Sequence, residues 1–500
     1  MLKKNILNHV LLSCKNHRDL DKKTIKKFVP GYKLMENAGE VIFKIIKKKF
    51  KKQKKIKILC GPGNNGGDGF VVAKLLKKNG FFNIDLFCLV KKKQLKGDAK
   101  IAAKQFNGNL KNFSNLKISR YDLIVDGIFG SGLKKNISGN LKRIIKKINT
   151  IKPYCISIDV PSGINGDTGE IQGIALKSNK TITFTGKKPG HILSPGKEYC
   201  GNVVVEDIGI DLKKLLFKPY IFENHPNIWK SKFPWPNKVS HKYTRGFALI
   251  VCGEKMTGAT RLAARGAARI GCGLLCLGVP KKSFNIYATE NPIALIETID
   301  KDKDLNKILK DKRINTILIG PGLGISKKKL NYILKAISDK KRIVILDADA
   351  LKNNFKKILS KNKTKLVITP HQGEFSHILK NLKIKKINNK ISAVTDFVKK
   401  TKINLILKGN ATIICSQDGR ISINTNTSPF LATGGSGDVL SGMITGLIAQ
   451  DMEIFDACCA AVWIHGEIAK KKGEGLISED LPEIIPNVLK KIKNYSRIDT

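Results

Sequence analysis

Acid is scarce in this sequence: 40 Asp and Glu stand against 92 Lys and Arg in 500 residues, a formal net charge of +52. Such an excess brings nucleic acid and acidic membrane to mind. Aromatics are sparse beside the charges, however, and the surplus is mostly lysine in short scattered runs such as Lys47 to Lys49, Lys91 to Lys93, and Lys399 with Lys400. No binding stripe forms, so no specific nucleic-acid partner is expected. Long apolar runs are missing too. None approaches the ~18 residues of a membrane span, and the stretch Val10 to Leu12 is broken by Asn8, His9 and Lys15. No signal peptide, anchor or membrane partner is expected. The 11 cysteines include no CxxC pair and no Cys/His cluster at zinc spacing. They read as reduced thiols packed as small apolar side chains in a cytoplasmic protein, Cys272 and Cys276 included. Core material is present: 42% hydrophobic residues and 44 glycines exclude a disordered or collagen-like chain.

At roughly 150 residues per domain, the length gives about three units or two large α/β ones. From Lys55 short apolar runs alternate with mixed segments: strand Ile56 to Cys60, helix Gly66 to Lys78, strand Ile84 to Val90, helix Gly97 to Phe106, then strands Leu123 to Asp126 and Cys155 to Val160. This is the rhythm of a parallel sheet covered by helices. It lapses between Asp211 and Tyr243, where Pro219, Pro226, Pro234 and Pro236 intervene while Trp229 and Trp235 suggest partial docking. Residues 213–240 therefore read as a linker between domains 1–212 and 241–500. A second alternation follows, with strands Phe247 to Cys252, Thr316 to Ile319, Ile343 to Leu346 and Leu366 to Ile368, and a helix from Ala259 to Ile270. No internal repeat relates the halves.

Strand Ile56 to Cys60 runs into a loop in which Gly61, Gly63 and Gly66 satisfy G-x-G-x-x-G. Glycines there let backbone N–H groups crowd a phosphate at a helix N-terminus. No Lys-Ser or Lys-Thr follows, which excludes a Walker loop. Asn64, Asn65 and Asp68 exceed what a diphosphate needs. Two more loops follow strands: Asp126 to Gly132, and Asp159-Val160-Pro161-Ser162-Gly163. Carboxylates at strand C-termini of an open parallel sheet converge on the ligand crevice, although any single Asp could equally cap a helix or form a turn.

In the second half, Thr433-Gly434-Gly435-Ser436-Gly437-Asp438 precedes the apolar helical face of Val439, Leu440, Met443, Ile444 and Leu447. Glycines at a helix start offer N–H donors to a phosphoryl group, and an acid one residue later is placed to take a proton from an attacking hydroxyl. A Gly-rich turn capped by Asp438 is the structural alternative. Gly320 to Gly324, Thr369 to Glu374 and Lys408 to Thr412 are further polar loops at strand ends that could border one cleft. His371 alone reads more readily as a buried or capping histidine, and Glu374 as an acid facing a helix dipole.

Met35-Glu36-Asn37-Ala38-Gly39, the Gly61 to Gly69 loop, the Asp126 to Gly132 loop, Asp159 to Ile164 and Asp207-Ile208-Gly209 together resemble the NAD(P)H-hydrate epimerase family. The resemblance implies a Rossmann-like three-layer α/β domain that interconverts the C6 epimers of hydrated NADH and NADPH. Substrate contacts are then implied for Asn64, Asn65, Gly66, Gly67 and Asp68, and for Gly130, Ser131, Gly132, Leu133, Lys134, Lys135 and Asn136. Potassium is implied at Asn65, Asp126 and Ser162. Asp159 touches the nicotinamide end as the proton-transfer residue, a role that a water-shielded carboxylate with a raised pKa suits.

The second-half motifs, completed by Gly253 to Gly273, resemble the ADP-dependent NAD(P)H-hydrate dehydratases, a family of ribokinase-like α/β fold. That resemblance implies phosphorylation of the C6 hydroxyl of the S epimer by ADP, then loss of phosphate. Nucleotide contacts are implied for Lys408, Gly409, Asn410, Ala411 and Thr412, and for Ser428, Thr433, Gly434, Gly435, Ser436 and Gly437. Hydrated coenzyme would touch Ala259, Gly322, His371, Gln372, Gly373, Glu374, Phe375, Ser376, His377 and Asp438. Asp438 is the implied catalytic base, Mg2+ accompanies the nucleotide, and a homo-oligomer is expected. The stretch before Met35 and the lysine-rich segments 301–312 and 380–390 match nothing specific. An oxidoreductase using Gly61 to Gly66, a nucleic-acid-binding protein, and a vitamin or sugar kinase are the alternatives.

Overall fold

Strands that are apolar on both faces need a helical layer on each side, and parallel pairing then demands a crossover of a dozen or more residues between them. Both halves of this chain meet that demand. A computed structural model describes residues 4–133, 135–290, 292–384 and 389–494, and divides the chain into two units, one ending at Pro219 and one starting at Tyr220.

The first unit holds a sheet of seven parallel strands: β1 (Ile56–Cys60), β2 (Ile84–Cys88), β3 (Leu110–Lys111), β4 (Leu123–Gly127), β5 (Tyr154–Ile158), β6 (Lys180–Phe184) and β7 (Asn202–Glu206), in the order β3-β2-β1-β4-β5-β6-β7. The order reverses between β1 and β4, and in an open parallel sheet ligands bind outside the strand C-termini at such a reversal. Every residue of β4 is buried. Helix Gly31–Lys49 buries Leu34, Met35, Ala38, Ile42, Phe43 and Ile46 at helical spacing, and helix Asn64–Lys78 buries Phe70, Val71, Val72 and Leu76. The N-terminal stretch that matched no motif forms helix Cys14–Lys27, capped by the Ser13 hydroxyl accepting from the Asn16 amide at 3.1 Å.

The second unit carries ten strands: β8 (Ile221–Glu223), β9 (Phe247–Val251), β10 (Leu274–Val279), β11 (Leu295–Thr298), β12 (Thr316–Ile319), β13 (Ile343–Leu346), β14 (Lys365–Ile368), β15 (Asn404–Leu407), β16 (Thr412–Cys415) and β17 (Ile421–Asn424). Their order is β11-β10-β9-β12-β13-β14-β15-β16-β17-β8. Only the β15–β16 and β16–β17 pairings are antiparallel. The reversal falls between β9 and β12. Helix Ser436–Ala449 is buried from Val439 onward, the burial expected of an uncharged apolar segment packed within the unit.

The stretch 213–240, expected as a linker, is in part structural. Residues Ile221–Glu223 pair with β17 as an edge strand. Trp229 is fully buried and packs edge-on against Trp463, with ring centroids 6.1 Å apart. Prolines interrupt central strands but tolerate an edge; three residues between Pro219 and Pro226 suffice for one. All described cysteines are free thiols, buried except for half-buried Cys272. Among the described residues no helix is long and apolar enough to cross a membrane.

Candidate active sites

In the first unit, β1 ends at Cys60 and helix Asn64–Lys78 starts four residues later, behind Gly63 as its cap. The chain must be glycine at 61, because a Cβ there would lie 1.7 Å from the Ile128 carbonyl oxygen. The loops after β1 and β4 thus meet backbone to backbone, and a cavity of about 630 Å³ opens above them. Asn64, Asn65 and Asp68 line it from one side; Gly130, Ser131, Gly132, Leu133 and Lys135 line it from another. Asp159 stands at its floor, and helix Cys14–Lys27 adds His17, Arg18 and Asp21.

Asp159 follows β5 with φ 64°, a left-handed conformation that costs a side-chain-bearing residue ~1–3 kcal/mol. Its carbonyl oxygen accepts from His191 Nε2 at 2.8 Å, while His191 Nδ1 accepts the Lys188 amide at 3.0 Å. This pairing fixes the neutral Nε2–H tautomer, in keeping with burial and the adjacent Lys188 ammonium, which hold the His191 pKa down to about 3. The carboxylate of Asp159 takes the Lys188 ammonium and the Thr183 hydroxyl on Oδ1, and the Ser131 amide at 3.0 Å on Oδ2. Burial pushes its pKa up, but the attraction of Lys188, aided by His17, outweighs burial and holds it well below the usual carboxylate range. The expectation of a raised pKa at Asp159 is therefore corrected, because a buried ammonium faces it.

The raised carboxyl in the same cavity is Asp68. Asp68 is 8% exposed, and among the described residues no hydrogen bond or ion pair engages its carboxyl. Burial, then the Asp159 and Asp21 charges, push its pKa well above the ordinary value.

Asp126 and Ser162 are fully buried and meet directly. Asp126 Oδ2 accepts from the Ser162 amide at 2.8 Å and the Ser157 hydroxyl at 2.9 Å; Oδ1 accepts from the Ser162 hydroxyl at 2.5 Å and the Ile128 amide at 3.2 Å. Burial raises the Asp126 pKa against these bonds. Among the described residues the buried Asn65 amide nitrogen has no partner, and a Cβ on Gly130 would lie 3.0 Å from Asn65 Oδ1 and 2.9 Å from Asp159 Oδ2. Gly66, Gly67 and Asn136 do not line the cavity. Gly66 sits against the Gly61 backbone and Gly67 against Met35, so both serve close packing; Asn136 is exposed. Lys134 lies outside the described residues.

In the second unit, helix Ser436–Ala449 begins behind Gly435, whose φ of 89° suits only glycine without strain. Asp438, in the first turn, is half-buried, and its pKa is pushed up to about 6 by burial, then by Asp347 and Asp349, against the pull of Lys408. Lys408 directly follows β15; its ammonium binds Asp347 Oδ1 at 2.9 Å and would lie 3.3 Å from a Cβ on Gly437. Burial acts to lower the Lys408 pKa, but the Asp347 charge raises it overall. Gly409, Asn410 and Ala411 turn the chain into Thr412 at the head of β16. Ser428 caps the turn Pro429–Leu431 on the connection that reaches Thr433 and Gly434. Ala259 lies in helix Thr257–Arg269, whose Thr260 hydroxyl donates to the Pro321 carbonyl at 3.0 Å beside Gly322.

His371 caps helix Gln372–Asn381: its Nδ1 accepts the Gly373 and Glu374 amides at 3.0 and 3.2 Å, and Glu374 Oε2 accepts the His371 amide at 2.9 Å. The imidazole itself stays largely exposed. Ser376 bonds back to the Gln372 carbonyl at 2.9 Å, and His377 is exposed. Phe375, expected against substrate, is 1% exposed and packs edge-on against Phe397. It belongs to the core, because the helix turns that position inward.

Sequence reasoning missed Lys188, Thr183 and His191, although Gly186-Lys187-Lys188-Pro189-Gly190-His191 is a polar loop just beyond β6 and carries the same strand-end signal as its neighbours. It also missed Asp347 and Asp349 just after β13, and the helix Cys14–Lys27.

Comparison with known proteins identifies the family. Residues 31–190 match a family model described as YjeF-related protein N-terminus, and residues 248–487 match NAD(P)H-hydrate dehydratase. A bifunctional NAD(P)H-hydrate repair enzyme of Dictyoglomus turgidum is 36% identical over 495 residues, 93% of this chain and 95% of the relative. Another of that name, from Coxiella burnetii, is 33% identical over 492 residues, 94% and 98% of the two chains. Among solved structures, an ADP/ATP-dependent NAD(P)H-hydrate dehydratase from Bacillus subtilis, co-crystallised with ATP and Mg2+, is 27% identical with a TM-score of 0.47, covering 54% of this chain and 98% of that one. With such identity over nearly the full length of both partners, the chain belongs to the family of bifunctional NAD(P)H-hydrate repair enzymes.

Proposed function

We propose that the first unit epimerises hydrated NADH and NADPH at C6 and that the second dehydrates the S epimer with ADP, giving AMP, phosphate and restored coenzyme. The observation that carries this reading is the presence of two strand-end acid sites in separate units, Asp159 and Asp68 over a dinucleotide-type glycine loop, and Asp438 in the first turn of a glycine-led helix. In the second site the C6 hydroxyl gives its proton to Asp438 as its oxygen attacks the terminal phosphorus of ADP. A carboxylate titrating at about 6 is mostly ionised at neutral pH yet basic enough to assist. The amides of Gly434, Gly435, Ser436 and Gly437 and the Lys408 ammonium face the phosphoryl charge. Phosphate then leaves C6, where hydroxide would leave poorly, and C5 loses a proton.

Potassium is assigned to Asn65, Asp126 and Ser162. Amide, carboxylate and hydroxyl oxygens suit a hard cation, and of the Asn65 amide it is Oδ1, beside Gly130, that would take the ion; the ion would fix the loop ends and add positive potential. Mg2+ belongs with the nucleotide phosphates: among the described residues no trio of His, Cys, Asp or Glu forms a cage, and magnesium commonly binds through phosphates and waters. The test is to incubate purified protein with mixed epimers, with and without ADP or ATP, following epimer ratio by chromatography and dihydronicotinamide by absorbance. Epimer exchange without nucleotide and absorbance regain only with nucleotide are expected. NADH oxidation with candidate substrates, and no regain, would favour an oxidoreductase.

A further inference from the structure

Two carboxyls share the first cavity in opposite settings. Asp159 is tied by Lys188, Thr183 and the Ser131 amide, whereas Asp68 faces the same space from helix Asn64–Lys78 with 8% exposure and, among the described residues, no such tie. We propose that Asp68 is the proton donor of epimerisation and that Asp159 is a fixed anion that stabilises a cationic intermediate. This rests on the epimerase reading above.

The step balances with the groups present. Asp68 gives its proton to the C6 hydroxyl; the C6–O bond breaks with its electron pair on oxygen, and water departs. The N1 lone pair forms C6=N1, leaving a planar cation facing ionised Asp159. Water re-adds to either face of C6, and its proton returns to the Asp68 carboxylate. The alternative, opening the ring at C6–N1, needs a base to take the hydroxyl proton, and Asp159 beside a buried ammonium is a poor one. Burial and the nearby Asp159 and Asp21 charges push the Asp68 pKa well above its ordinary value, which favours the protonated form. The other charged or titratable groups on this space are His17, Arg18, Asp98 and Lys135, with Lys188 and Cys60 behind. Two carboxyls held in opposite states are the arrangement that separates an acid from an electrostatic stabiliser.

The experiment follows one epimer of hydrated NADH in water enriched in oxygen-18, reading epimer ratio and the mass of the C6 hydroxyl together. Wild-type protein is expected to incorporate label in step with interconversion. Asp68→Asn keeps the shape of the neutral acid and should slow epimerisation by about 100-fold or more while still binding hydrated NADH; Asp68→Glu should recover part of the rate. Interconversion without label by the wild type, or Asp68→Asn turning over within a few-fold of it, overturns the proposal. Epimers left untouched by the wild type would overturn the epimerase reading itself and this proposal with it.

Discussion

Removing the ammonium of Lys188 tests the electrostatics of the first site without reference to turnover. Lys188 is fully buried and contacts Asp159 and Thr183, so Lys188→Met leaves a buried carboxylate without its cation. Breaking such a pair from one side costs ~3–5 kcal/mol. For a unit of this size that is roughly 6–20 °C in melting temperature. The pH dependence carries the sharper signature. In the wild type the Asp159 pKa is depressed by Lys188, so its contribution is present above the unfolded pKa of ~3.9 and is lost only as pH falls below that value. Without Lys188, burial dominates and the folded pKa rises above ~3.9. The folded state then holds its proton more tightly than the unfolded chain, so stability falls as pH rises from ~3.9 through the new folded value. Melting of both proteins at pH 5 and pH 8, read on a probe within the first unit, is the assay. Lys188→Met should lose more at pH 8 than at pH 5, and adding Asp159→Asn should restore much of the loss. A single variant as stable as the wild type at both pH values would refute the reasoning.

Asp438→Asn should reduce nucleotide-dependent dehydration by about 100-fold or more while epimerisation persists; equal loss of both in the two assays would deny separate sites. Because Asp438 must be ionised to accept a proton, wild-type dehydration should decline as pH drops through about 6, a profile that single-turnover rates across pH would reveal or exclude. Asp126→Ala should abolish the response of epimerisation to added potassium and leave dehydration unaffected; an unchanged potassium titration would remove Asp126 from the metal site. Trp229→Ala should destabilise the second unit by ~3–5 kcal/mol, measured by denaturant melting, since its ring is buried against Trp463; a loss under 1 kcal/mol would return that segment to the linker.

The architecture was legible because it is written in local patterns. Runs such as Ile56 to Cys60 and Ile343 to Leu346 are strands at the positions the apolar spacing indicates, and glycine loops mark the reversals of strand order. The boundary was harder, since a three-residue edge strand between Pro219 and Pro226 carries too little pattern to separate it from a proline-rich connection. Phe375 shows the limit of motif reasoning within a helix: a contiguous run such as Glu374-Phe375-Ser376 is read as one patch, but helical geometry divides it between the interior and the surface.

Charge states were the least legible, because they depend on residues far apart in sequence. Nothing near Asp159 announces Lys188, 29 positions later, and that contact does most to reverse what burial would do to the carboxyl. Asp68 illustrates the converse. It lies in an Asn- and Gly-rich loop motif that reads as a set of ligand contacts, but among the described residues no cation pairs with it, while Asp159 and Asp21 add negative charge around it. The same residue type, lining one cavity, thereby has its pKa moved in opposite directions by the choice of neighbour. Asp438 lies between these extremes, since Lys408 offsets part of what burial, Asp347 and Asp349 impose, and an intermediate pKa is what a base needs if it is to be free of its proton at neutral pH and still attract one from a hydroxyl. Function in this chain therefore follows less from which acids stand at the strand ends than from which lysine, if any, reaches each of them.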